Sequence, residues 1–76
     1  MEGGEYMAIT LKAARVNAGM TQATAAKEIG VTADVISNWE RGLSFPNVKN
    51  IMAIEKAYGI PYADIIFLPK DNVKTV

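Results

Sequence analysis

The chain reads Ile29-Gly30-Val31-Thr32-Ala33-Asp34-Val35-Ile36-Ser37-Asn38-Trp39-Glu40-Arg41-Gly42 across its middle. At 100° per residue, Val35, Ile36 and Trp39 fall on one side of a helix over Ala33 to Arg41, with Glu40 at the edge. Ala33, Asp34, Ser37, Asn38 and Arg41 fall on the other side, all small or polar. Gly42 follows the last helical residue, where glycine accepts the left-handed conformation easily. Thr32 stands before the first helical residue, where its hydroxyl can accept from a first-turn amide.

Working outward, the same punctuation repeats. Gly19, Gly30, Gly42 and Gly59 each close a stretch of helical patterning, and Thr21 and Asn47 mark two further starts. Pro46 and Pro61 follow two of the stops, where they can open a new segment. The pattern predicts helices around Thr10 to Ala18, Gln22 to Ile29, Ala33 to Arg41 and Val48 to Tyr58, with a short fifth around Tyr62 to Ile66. The competing reading for Ile60 to Leu68 is a strand, because that stretch is apolar enough. Only Gly30, Val31 and Thr32 separate the second helix from the third. A turn that short forces a steep crossing, the sequence form of a helix-turn-helix.

The rest of the composition narrows the class. In 76 residues there is room for one small domain. With no cysteine and no histidine, packing alone must hold it, and compact helical packing is one solution at this size. Half the residues are hydrophobic and 21% charged, which argues against a disordered chain. The apolar runs are far shorter than a membrane span. Met1 to Tyr6 lacks the basic start and apolar stretch of a secretory signal, so a reducing, cytoplasmic setting is expected. The missing cysteine and histidine remove the usual nucleophile, general base and zinc ligands. Neither a phosphate-binding Gly-x-x-x-x-Gly-Lys loop nor a Gly-x-Gly-x-x-Gly turn occurs. No enzyme, metal or cofactor is expected.

The polar face of the third helix has two readings. One is an ordinary solvated face. The other is a surface for the major groove of DNA, which admits an α-helix when its outward side chains are short and hydrogen-bonding. Asn38 can bond bidentately to adenine, Asp34 can accept from a cytosine amino group, and the Ala33 methyl can touch a thymine methyl. Arg41, at the helix end, can reach a phosphate.

From Leu11 to Phe67 the chain resembles the Cro/CI-type, or XRE-like, helix-turn-helix family of phage repressors. The resemblance rests on Arg15 with Gly19-Met20-Thr21-Gln22, on Ala25-Ala26 and Ile29-Gly30-Val31-Thr32, and most specifically on Ile36-Ser37-Asn38-Trp39-Glu40-Arg41-Gly42 followed by Pro46. Ile51, Ile54, Ala57, Tyr58-Gly59-Ile60 and Asp64-Ile65 continue it. It implies an all-α, lambda-repressor-like domain of about five short helices over residues 8–68, between an N-terminal extension (1–7) and a polar C-terminal tail (69–76).

The resemblance also implies roles. Ala33, Asp34 and Asn38 match base-reading positions. Thr21, Gln22, Thr32, Ser37 and Arg41 match positions on or near the DNA backbone, Thr21 and Thr32 serving equally as helix caps. Arg15 and Glu40 match an interior salt bridge. Leu11, Ile29, Val35, Ile36, Trp39, Ile51 and Ile54 read as core, and a DNA-stacking Trp39 is the sharper alternative. The implied function is a sequence-specific transcription regulator, a repressor, bound as a homodimer to a palindromic operator in double-stranded DNA. The alternative is a protein-interaction module, such as an antitoxin or an accessory domain with a protein partner.

Charge bears on that choice. Between Ala8 and Phe67, Lys12, Arg15, Lys27, Arg41, Lys49 and Lys56 are nearly balanced by Glu28, Asp34, Glu40, Glu55 and Asp64. Affinity for DNA comes largely from phosphate neutralisation, so one such domain binds weakly and a dimer is expected. Tyr62, Ile66, Phe67 and Leu68 supply more apolar surface than five short helices need. They read either as the dimer surface or, for Phe67 and Leu68, as side chains folded back on the first helix. Ala14 and Ala25 are smaller than the family's usual residues. Either Met20, Met52 or Trp39 fills the space, or the helices sit closer together. Glu55 replaces a small apolar residue and either pairs with a lysine or lies on a more exposed face.

Overall fold

The computed structural model describes residues 8–67. The N-terminal extension, Leu68 and the polar tail lie outside the described residues. The order of elements is β1 (Ile9–Thr10), α1 (Leu11–Asn17), α2 (Gln22–Ile29), α3 (Ala33–Glu40), α4 (Val48–Tyr58), one 3₁₀ turn (Tyr62–Asp64) and β2 (Ile65–Ile66). Each of the four α-helices is opened by a side-chain cap. Thr10, Thr21, Thr32 and Asn47 accept from the amides of Ala13, Thr24, Val35 and Asn50. Such a cap satisfies one of the amides that a helix start leaves unpaired and stabilises by about 1 kcal/mol.

The turn between α2 and α3 depends on Gly30. Its φ is +93°, and its amide donates to Ala26 O at 2.8 Å while the next amide, that of Val31, donates to the same carbonyl at 2.9 Å. A Cβ at Gly30 would meet nothing within 4 Å, so the backbone conformation and not crowding is what calls for glycine there.

The expected fifth helix is corrected by the structure. Tyr62–Asp64 forms a single 3₁₀ turn, and Ile65–Ile66 then extends to pair with Ile9–Thr10 in parallel, Ile9 opposite Ile65 and Thr10 opposite Ile66. Pro61 opens this segment, and three residues close too few hydrogen bonds to sustain an α-helix. The strand reading of Ile60 to Leu68 was thus right for two residues. The expected start of the first helix at Thr10 shifts by one, because Thr10 is its cap and belongs to β1.

The core joins Leu11, Ala14, Ala25, Ala26, Ile36, Trp39, Ile54, Tyr58 and Ile65, with Ile36 and Ile54 fully enclosed. Ile29 and Val35 are partly buried against it. Ile51 departs from expectation: it is half-buried and lines a surface groove instead. Ala14 and Ala25 are both buried, and Met20 is partly buried against the core. Met52 does not fill their space, since it is 63% exposed.

Candidate nucleic-acid interface

Burial of Ile36 and Trp39 fixes the rotation of α3. It leaves Ala33 and Asp34 exposed and Ser37 and Asn38 half-exposed, with Arg41 exposed just past the last turn. Trp39, 4% exposed, is a core residue and offers no ring for stacking on DNA. Asp34 lies in the first turn of α3, where the helix dipole favours a negative charge, so it has a local stabilising role as well as an outward position.

Thr21 and Thr32 start α2 and α3, and both side chains are committed to capping. Thr21 Oγ1 accepts from the Thr24 amide at 3.0 Å, and the Thr21 and Thr24 hydroxyls are 3.0 Å apart. Thr32 Oγ1 accepts from the Val35 amide at 3.3 Å. Both residues are exposed.

Behind this surface lies a buried ionic network. Arg15 Nε donates to Glu40 Oε2 at 2.6 Å and Arg15 Nη2 to Glu40 Oε1 at 3.3 Å, while Nη1 donates to the Met20 carbonyl at 2.8 Å. Both residues are buried. The bond to Glu40 is the main reason the Arg15 pKa is raised, against the opposing effect of burial. Gln22 joins the network, its Nε2 donating to Glu40 Oε1 at 3.1 Å. Sequence reasoning found no structural use for Gln22, because its partner lies 18 positions away. An amide nitrogen carries two protons, so one N–H of Gln22 holds Glu40 and the other stays available for a phosphate.

At the far end of α3, Arg41 Nη2 donates to Asn38 Oδ1 at 3.1 Å. No sequence pattern announced this bond, although the two residues are three apart and so adjacent on a helical surface.

Of the proposed dimer surface, Tyr62, Ile66 and Phe67 are among the described residues. Phe67 is half-buried between Phe45 and Tyr62, its ring centroid 6.1 Å and 5.7 Å from theirs. These three rings, with Pro46 and Ile51, line a groove of about 160 Å³. Phe45, Tyr62 and Ile66 are exposed. Among the described residues Glu55 is paired with no lysine: its Oε2 accepts from the Tyr62 amide at 2.6 Å and ties the 3₁₀ turn to α4.

The family model described as helix-turn-helix matches residues 11–65, most of the chain and all four α-helices. The protein belongs to the Cro/CI-type, XRE-like helix-turn-helix family. Neither a curated relative nor a solved structure matches the chain. Membership makes this XRE-like protein a DNA-binding domain of the transcription-regulator type, in a regulatory and not generally enzymatic family. Its all-α fold agrees, with α2 and α3 as the helix-turn-helix. Among the described residues no helix is long and apolar enough to cross a membrane.

Proposed function

We propose that this XRE-like protein is a repressor that binds a two-fold symmetric operator as a homodimer, with α3 of each copy in the major groove. Ala33, Asp34 and Asn38 read bases. Thr21, Gln22, Thr32, Ser37 and Arg41 position the protein on the DNA backbone, the amides at the start of α2 facing a phosphate. The observation that carries this reading is the outward row of short polar side chains on α3, held against a core through Ile36 and Trp39. Short side chains let the helix backbone approach base edges closely.

Dimerisation supplies the affinity that one nearly neutral domain lacks, and sets two recognition helices about one DNA turn apart. The dimer surface is proposed at Tyr62, Ile66, Phe67 and Leu68. The exposure of Tyr62, which lines the aromatic groove, and of Ile66 on β2 supports it. The deciding experiment is selection from a random duplex DNA pool at low salt, with the mass of the protein measured on the same sample. Enrichment of a symmetric site by a dimer supports the proposal.

A second reading, a protein-interaction module with a protein partner, is favoured by one observation. The segment after α3 is Leu43-Ser44-Phe45-Pro46, apolar and without a basic residue, and Leu43 and Phe45 are exposed. Failure to enrich any site with the fold intact favours this second reading.

A further inference from the structure

We propose that Arg41 is a positioning residue for base recognition, holding the Asn38 amide in one orientation before DNA is bound. The inference rests on the DNA-reading role of Asn38 and adds to Arg41 a function beyond phosphate contact. An asparagine amide is chemically two-sided, with an acceptor oxygen and a donor NH₂ of nearly the same shape. Turned end for end about its last torsion, it offers the opposite pattern to a base edge. Recognition of adenine in the major groove needs the oxygen facing N6–H and the nitrogen facing N7. A freely turning amide therefore discriminates less than a fixed one.

Arg41 removes that freedom. Its Nη2 donates to Asn38 Oδ1 at 3.1 Å. A guanidinium has only donors, so the reversed amide would set NH₂ against N–H and lose the bond. The bonded oxygen keeps a second lone pair for a base, and both protons of the NH₂ stay free.

The backbone beneath the pair is held by hydrogen bonds. The Arg41 amide closes α3 on Ser37 O at 3.0 Å, and the Leu43 amide closes on Asn38 O at 2.9 Å. The neighbouring Glu40 is locked to Arg15 and Gln22. Among the described residues the Arg41 side chain is hydrogen-bonded to Asn38 and ion-paired with no carboxylate. Nothing there competes for the guanidinium.

The test uses the operator recovered by duplex selection and a set of operators with each base pair of one half-site replaced. Affinities are measured for the wild type and for Asn38→Ala, Arg41→Ala and Arg41→Lys. Asn38→Ala first identifies the base pair whose discrimination depends on that side chain. Arg41→Lys keeps the positive charge, but its ammonium ends one bond short of the Nη2 position and turns freely, so it does not hold the Asn38 oxygen in place. It should lower discrimination at that base pair by about fivefold, the scale of one hydrogen bond, and leave the other positions and the salt dependence unchanged. Arg41→Ala should do the same and also weaken every operator. If both Arg41 variants shift all operators by one common factor, Arg41 is a phosphate contact only and the proposal is overturned. If no operator is enriched, or Asn38→Ala changes no base preference, the DNA-reading role of Asn38 fails and the proposal falls with it. These outcomes differ in whether Asn38→Ala acts, so the two failures are distinguishable.

Discussion

Glu40 gives both of its carboxylate oxygens to Arg15, a residue 25 positions earlier, and shares one of them with Gln22. The last turn of α3 is thereby bolted to α1 and to the start of α2. In the proposed complex the start of α2 meets a phosphate while α3 lies in the groove, and this network fixes the separation of the two. Glu40→Ala leaves the Arg15 guanidinium buried with only the Met20 carbonyl, and should destabilise the domain by about 3–5 kcal/mol in urea unfolding. A loss under about 1 kcal/mol, the size of a surface pair, would show that the network is not holding the helices together.

Gly30 is required by its backbone and not by lack of room. Gly30→Ala should therefore cost about 1 kcal/mol, the strain of a left-handed alanine, with no steric addition. Thermal melts of the two proteins measure it. A loss several times larger would mean that the turn tolerates no side chain at all.

Tyr58 is buried beside the ionic network, and its pKa is pushed up to about 12, first by burial and then by the charge of Glu40, with Arg15 opposing. The folded state thus keeps the phenol proton where the unfolded chain, with an ordinary value near 10, releases it. The contribution to stability is complete below pH 10 and is lost as the pH rises toward 12. It amounts to roughly 2–3 kcal/mol by linkage. Chemical denaturation across that window should show the decline in the wild type and a shallower one in Tyr58→Phe. Equal slopes in the two proteins would refute it.

Asn38→Ala should weaken binding by about 1–3 kcal/mol, mainly at one base pair per half-site. Arg41→Ala should weaken all sequences and reduce the salt slope by about one. Competition assays with substituted operators separate the two patterns. An equal loss on every sequence for Asn38→Ala would contradict its base-reading role.

Ile66 is exposed on β2 and belongs to the proposed dimer surface. Ile66→Lys should convert a dimer to a monomer by sedimentation while leaving a folded domain whose melting temperature no longer depends on protein concentration. Binding to a two-fold site should fall with it. A variant that remains dimeric would move the dimer surface elsewhere.

Much of the fold that presents the candidate site was legible because its signals are local. Caps, glycine stops and the two-sided pattern of α3 act within a few residues, and each restricts the backbone by itself. The family resemblance, carried most specifically by Ile36 to Gly42, then implied the pairing of Arg15 with Glu40. What was not legible involves partners that the chain brings together from a distance. Gln22 looked free until folding set it against Glu40. Glu55 looked misplaced until the Tyr62 amide arrived to meet it. Ile51 has core hydropathy, yet the packing turns it toward Phe45 and Phe67.

Sequence by itself determined the four α-helices, their order, the short turn and the rotation of α3, since periodicity and capping are properties of neighbouring residues. Only tertiary structure decided what Ile65 and Ile66 would become. Their apolar side chains suit a helix end or a strand equally well, and the choice fell to Ile9 and Thr10, whose backbone groups lie more than fifty positions away and pair with them in the folded protein.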